Sequence, residues 1–218
     1  MRPFGVFGGM FDPIHYGHLR TAHELCELLG LEAIAFVPAG APAHRATPLA
    51  AAKTRLEMVR AAVGDDDSRF LVDDRELRRP GPSYTILTLE ELRAERGAQP
   101  IVLVMGMDAF AGIGGWHRAG ELLDLAHIVV ARRPQASEPR EGLAAELLRT
   151  RHCEDPARLA GLPGGLVHVS TNTQLDVSSS AVRAVIAAGR DPRYLMPEAA
   201  RRIILATGSY ARPGDRKE

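Results

Sequence analysis

Two histidines three residues apart, His15 and His18, follow a glycine pair in Gly8-Gly9-Met10-Phe11-Asp12-Pro13-Ile14-His15-Tyr16-Gly17-His18-Leu19. The run joins an apolar stretch, Phe4 to Phe7, to an amphipathic one, Leu19 to Leu29, the pattern of a strand, a loop and a helix start. Glycines at a strand end let a phosphate approach the backbone without meeting a Cβ. Gly17 relieves crowding where the new helix presents free N–H groups and the positive end of its dipole. A spacing of three is one helical turn, so both imidazoles can face one bound anion. The P-loop pattern is absent, because neither lysine follows the required glycine spacing, and no G-x-G-x-x-G occurs. A zinc site would need a third ligand, and no cysteine lies nearby.

A second block, Val177-Ser178-Ser179-Ser180-Ala181-Val182-Arg183, offers Ser178 or Ser179 as helix cap. Arg183 is expected in the first turn, where a cation opposes the macrodipole. A bound phosphate reverses that sign, since guanidinium and helix amides then share one anion. The alternative is an arginine pointing to solvent.

The elements that must hold these residues alternate along the chain. Strands are expected at Phe4 to Phe7, Ala33 to Val37, Arg69 to Val72, Ile101 to Met105, His127 to Ala131 and Leu166 to Val169. Helices are expected at Leu19 to Leu29, Ala50 to Val63, Tyr84 to Arg96, near Glu121, Ser179 to Ala188 and Pro197 to Ala206. The alternation predicts a Rossmann-like α/β fold: a doubly wound parallel sheet of five to six strands with a small C-terminal helical part at about 178–210. Ligands of such sheets bind beyond the strands' C-terminal ends. Residues 134–165, with four prolines and Gly164-Gly165, read as an irregular excursion within a single domain covering 1–218.

Composition narrows the partners. Lys+Arg and Asp+Glu are both 27 in 218 residues, so no general cationic field draws in nucleic acid or an anionic membrane. All the basic residues but Lys53 and Lys217 are arginine. Cys26 and Cys153 are too few for a disulfide scaffold, and no long apolar run follows Met1; both point to a soluble, unprocessed protein in the cytoplasm. Homo-oligomerisation stays open.

The first block resembles the G-G-x-F-D-P-x-H-x-G-H signature of the H-x-G-H nucleotidyltransferases, in the form typical of bacterial nicotinate-nucleotide adenylyltransferases. The second is similar to that family's S-S-T-x-x-R, with Ser180 in place of Thr. Further blocks are similar in order. Pro38-Ala39-Gly40-Ala41-Pro42-Ala43-His44-Arg45 resembles P-x-x-x-P-P-H-K, and Ser83-Tyr84-Thr85 begins S-Y-T-x-x-T-L. Gly106-Met107-Asp108 with Trp116 matches G-x-D followed by W, and Arg132-Arg133-Pro134 and Tyr194-Leu195-Met196-Pro197 also fit. Departures are Met10, where the family has Ser or Thr, and Ala43, Arg45 and Ser180.

The resemblance implies adenylyl transfer from ATP to nicotinate mononucleotide in NAD synthesis, with Mg²⁺ bound through the ATP phosphates rather than by protein ligands. His15, His18 and Arg183 would be the catalytic groups. ATP would be bound by Gly8, Gly9, Met10, Phe11, His15, His18, Gly106, Asp108, Ser178, Ser179 and Arg183, with Met10 acting through its backbone. Nicotinate mononucleotide would be held by His44, Arg45, Tyr84, Thr85 and Trp116. Each block has an intelligible job beside a plainer one. Trp116 can stack on a flat ring or pack in the core; Asp108 can accept from ribose hydroxyls or cap a helix. His44 and Arg45 can hold a phosphate or stay solvated. Ser83 is expected to cap its helix, with amides near Tyr84 and Thr85 taking a carboxylate, which nicotinate has and nicotinamide lacks. A sister enzyme for phosphopantetheine or cytidylyl substrates would explain the first block but neither Ser83-Tyr84-Thr85 nor Trp116. A non-catalytic nucleotide sensor would not need His15, His18 and Arg183 intact.

Overall fold

The computed structural model describes residues 1–41, 47–64, 68–132, 137–173 and 175–211. Among them, six strands form one parallel sheet in the order β3-β2-β1-β4-β5-β6. The strands are β1 (Phe4–Gly9), β2 (Ala33–Pro38), β3 (Phe70–Val72), β4 (Ile101–Gly106), β5 (His127–Arg132) and β6 (Val167–Thr171). The helices are α1 (Tyr16–Leu28), α2 (Ala52–Val63), α3 (Arg75–Arg78), α4 (Thr85–Arg96), α5 (Met107–Ala111), α6 (Leu122–Leu125), α7 (Gly142–Arg151), α8 (Ser179–Ala187) and α9 (Glu198–Thr207).

Alternating side chains sort the sheet into two apolar layers. Phe4, Val6, Ala35, Leu103 and Val130 pack with α4, α5 and α6 on one face. Ile34, Phe36, Val102, Val104 and Val129 pack with α1, α2 and α9 on the other. Residues of one strand therefore serve both layers, which is why β2 and β4 read as continuous apolar runs rather than alternating ones. Each such aliphatic side chain contributes about 1.5–3 kcal/mol by leaving water. No helix among the described residues is long and apolar enough to cross a membrane.

The structure revises three expectations and adds two short helices. Helix α1 begins at Tyr16, three residues before the apolar periodicity suggests, because His15 and His18 close its first turn. The stretch 134–165 is not irregular throughout: α7 forms within it and gives β5 and β6 their crossover helix. The short helices α3 and α5 had no periodic signal, as four or five residues span little more than one turn. Arg183 lies in the second turn of α8, whose cap is Ser178.

His127 ties the start of β5 to the chain before β6. It is fully buried; its Nε2 lies 2.8 Å from the Leu162 carbonyl, and its Nδ1 accepts from Leu166 N at 3.2 Å. Only the neutral ring does both, and burial holds its pKa below the ordinary value. Since the folded pKa is depressed, the unfolded chain binds the proton first. This contribution to stability is complete above the unfolded pKa of about 6.5 and is lost as pH falls through the folded value. Thermal melts should show a fall in Tm between about pH 7.5 and pH 5 that is shallower in His127→Gln. Equal slopes would contradict the assignment.

Candidate active site

The strand order reverses between β1 and β4, and a cleft of about 780 Å³ opens past the C-terminal ends of these two strands. It gathers Gly8, Gly9, Met10 and Phe11 from β1 and its loop, and His15 and His18 from the start of α1. It also gathers Tyr84 and Thr85, Gly106 and Asp108, Trp116, and Ser178, Ser179 and Arg183. His44 and Arg45 lie outside the described residues.

The two histidines cap α1 reciprocally. His15 is the cap residue; its Nδ1 accepts from Gly17 N at 3.1 Å, while the Nδ1 of His18 accepts from His15 N at 3.2 Å. The rings lie 3.8 Å apart between centroids. A Cβ on Gly17 would sit 2.9 Å from His15 Nδ1, so the glycine between the histidines makes room for the capping ring.

The first amides of α1 are thus not free for a ligand, contrary to expectation. Tyr16 N donates to Leu195 O at 3.2 Å, Gly17 N to the His15 ring, and His18 N to His15 O at 3.0 Å. Each imidazole accepts a backbone hydrogen at Nδ1, which leaves the neutral ring's hydrogen on Nε2. His18 is further fixed edgewise against Phe11 and Phe7, at centroid distances of 5.1 and 6.0 Å.

The glycine pair divides its work. A Cβ on Gly9 would meet the Phe11 ring at 2.9 Å, whereas one on Gly8 would enter open space. Gly9 is required by the fold, and Gly8 leaves room in the cleft.

Arg183 crosses from α8 to the first loop, where Nη1 donates to Asp12 O at 2.7 Å and Nη2 to Ser180 Oγ at 3.2 Å. Ser178 Oγ accepts from Ala181 N at 3.1 Å as the cap, and Ser179 Oγ donates to Pro13 O at 2.9 Å. The Ser179 hydroxyl is therefore a strap on the loop. The 171-residue separation of Arg183 and Asp12 hides this contact from any local reading.

On the opposite wall, Ser83 does not cap α4. The cap is Tyr84, without a side-chain bond to the helix amides. Ser83 Oγ instead accepts from Gly40 N at 3.1 Å and Ala41 N at 3.2 Å, so it draws the loop after β2 onto the start of α4. Gly40 is obligatory there, since a Cβ would lie 2.2 Å from the Glu76 carbonyl oxygen. Tyr84 stacks on His117 at 4.3 Å between centroids, and half-buried Trp116 packs against the core beside them. Asp108 is exposed in the first turn of α5 and caps nothing.

Sequence reasoning overlooked three buried polar residues that brace the cleft. Asp12 accepts from Leu49 N, Ala50 N and the Tyr210 hydroxyl at 2.9, 3.1 and 2.7 Å. Arg55 in α2 is 1% exposed and grips the loops after β1 and β2. Glu76 accepts from Thr88 Oγ1 at 2.8 Å; burial raises its pKa, opposed by hydrogen bonds and by Arg79. A charged residue inside an otherwise apolar helical stripe was the available signal for Arg55; Asp12 stood inside the first motif with no role read for it, and Glu76 carried no signal.

The cytidylyltransferase-like family matches residues 6–185. A Halorhodospira halophila protein named a probable nicotinate-nucleotide adenylyltransferase is 45% identical over 98% of this chain and 97% of its own. A Pseudomonas putida protein with the same name is 46% identical over the same shares. The chain belongs to the nicotinate-nucleotide adenylyltransferase family. Among solved structures, a Plasmodium falciparum nicotinic acid mononucleotide adenylyltransferase complexed with NaAD superposes with a TM-score of 0.72. It covers 96% of this chain and 98% of its own at 16% identity, a likeness of fold. Membership makes the chain a nucleotidyltransferase.

Proposed function

We propose that the chain transfers the adenylyl group of ATP to the phosphate of nicotinate mononucleotide, giving nicotinate adenine dinucleotide and pyrophosphate for NAD synthesis. The observation that carries this reading is the single cleft bringing the His15–His18 cap and Arg183 opposite Tyr84, Thr85 and Trp116, with family membership behind it.

The nucleophile is a phosphate oxygen, already anionic near neutral pH, so the site has no need of a carboxylate base. It must align two mutually repelling anions and stabilise charge on the α-phosphate and the departing pyrophosphate. In this reading the Nε2–H of His18 donates to the α-phosphate oxygen that gains charge, with His15 beside it. Arg183 and the amides at the start of α8 hold the β- and γ-phosphates. Gly8, Gly9, Met10 and Phe11 contribute backbone, and Gly106 and Asp108 take the adenosine side. Trp116 stacks on the pyridine ring, the amides of Tyr84 and Thr85 receive its carboxylate, and His44 and Arg45 take the mononucleotide phosphate.

Among the described residues no cluster of three or more His, Cys, Asp or Glu side chains could hold a metal ion. Asp12 and Glu76 are committed to protein hydrogens. With these carboxylates engaged, Mg²⁺ in this reading would be carried on the triphosphate, where it would neutralise phosphate charge. A cytoplasmic setting belongs to the same proposal.

Purified protein mixed with Mg-ATP and nicotinate mononucleotide should release pyrophosphate and nicotinate adenine dinucleotide in equal amounts. Pyrophosphate release only with phosphopantetheine or a cytidylyl acceptor would replace this reading with that of a sister enzyme.

A further inference from the structure

Arg55 is buried, charged and unused by the chemistry above. Its guanidinium meets two backbone carbonyls, Nη1 donating to Met10 O and Nη2 to Ala39 O, each at 2.7 Å, while its buried Nε has no partner. Holding a cation in the interior is costly, and a hydrophobic side chain would fill the same space without that cost. What no aliphatic residue or lysine supplies is a rigid fork that reaches two acceptors at once.

Those acceptors belong to different walls of the cleft. Met10 follows β1, and Ala39 follows β2; both line the cavity. The Met10–Phe11 peptide is not among the cis bonds, so a carbonyl turned inward turns the Phe11 N–H away from the guanidinium. Phe11 sits at φ 45, a conformation that bulky side chains rarely adopt. A local preference does not set this peptide's orientation, and Arg55 holds its carbonyl end. On the other loop, the Gly40 N–H of the Ala39–Gly40 peptide is held by Ser83. That peptide is thus fixed at both ends.

We propose that Arg55 is a positioning residue for adenylyl transfer: its fork holds the Met10 and Ala39 carbonyls inward, which aims the Phe11 N–H at the triphosphate and fixes the spacing between the two substrate loops. The role rests on the adenylyl-transfer reading. Asp12 belongs to the same brace, since its side chain holds Leu49 and Ala50 while its carbonyl takes Arg183.

The test compares wild type with Arg55→Lys and Arg55→Met, with kcat referred to the folded fraction measured by circular dichroism at the assay temperature. Arg55→Lys keeps the charge but offers hydrogens from one nitrogen. It should lower kcat about 10- to 100-fold, since misplacing reactants by about 1 Å can cost that much. KM for both substrates should stay within about threefold, because the lost interaction acts on alignment. Arg55→Met should lose at least as much. In an amide NMR spectrum, a non-hydrolysable ATP analogue should move the Phe11 signal of wild type and leave that of Arg55→Lys nearly unmoved. A folded variant with near-wild-type kcat would overturn the proposal, as would equal Phe11 shifts in both proteins. Failure of both variants to fold would also overturn it, since Arg55 would then be a folding residue only. If wild type released no pyrophosphate, the functional reading would fail, while the NMR comparison would still decide what Arg55 does.

Discussion

His18→Ala is expected to lower kcat by about 10²–10³, the cost of removing one preorganised donor to a developing oxyanion. ATP affinity should change far less, because the backbone, His15 and Arg183 remain. The geometry makes the expectation sharp. His18 has its Nδ1 held by the amide of His15 and its ring held by Phe7 and Phe11, so its donor is aimed before substrate arrives. The same substitution removes half of the reciprocal cap, a loss of about 1 kcal/mol of helix stability. Steady-state kinetics must therefore be run below the variant's own Tm. Turnover near wild type in folded His18→Ala would remove His18 from the transition state.

Substrate choice carries the second large effect. Nicotinate mononucleotide should exceed its nicotinamide counterpart in kcat/KM by about 10³ or more, as sites built around a charged or hydrogen-bonding group reject analogues lacking it. The reason lies in what Ser83 does not do. With the Ser83 hydroxyl drawn to Gly40 and Ala41, and the cap residue Tyr84 making no side-chain bond to the helix amides, the positive end of a three-turn helix meets the cleft at Tyr84 and Thr85. A carboxylate completes such a helix start. A carboxamide would turn either a dipolar oxygen or its own N–H groups toward amide donors. Equal kcat/KM for the two mononucleotides, measured side by side, would refute the placement.

Much of this site is legible in the chain. The glycine pair, His15 and His18 share one strand-loop-helix junction, and Ser178 caps α8 at the position its type and surroundings indicate. The parallel sheet follows from the two-faced apolar strands, because the periodicity that signals burial is the same contact that stabilises it. Short elements escaped. In α3 and α5, four or five residues carry too little pattern, and α7 was masked by the prolines on either side of it.

Polar partners escaped more completely. A serine before a helix is a sound cap by propensity, yet Ser83 serves a loop more than forty residues away. The amides of α1 are unsatisfied in an isolated helix, yet Leu195 and the two imidazoles satisfy them here. The sequence by itself determined which residue types meet at the junction, how the strands and helices alternate, and so where an anion would be bound. Only the tertiary structure decided which groups satisfy the first amides of α1, and that Arg55, Asp12 and Glu76 brace the walls of the cleft. The division has one cause. Backbone conformation and apolar periodicity arise between neighbours in the chain, whereas a hydrogen bond's partner is whatever group the fold brings within about 3 Å.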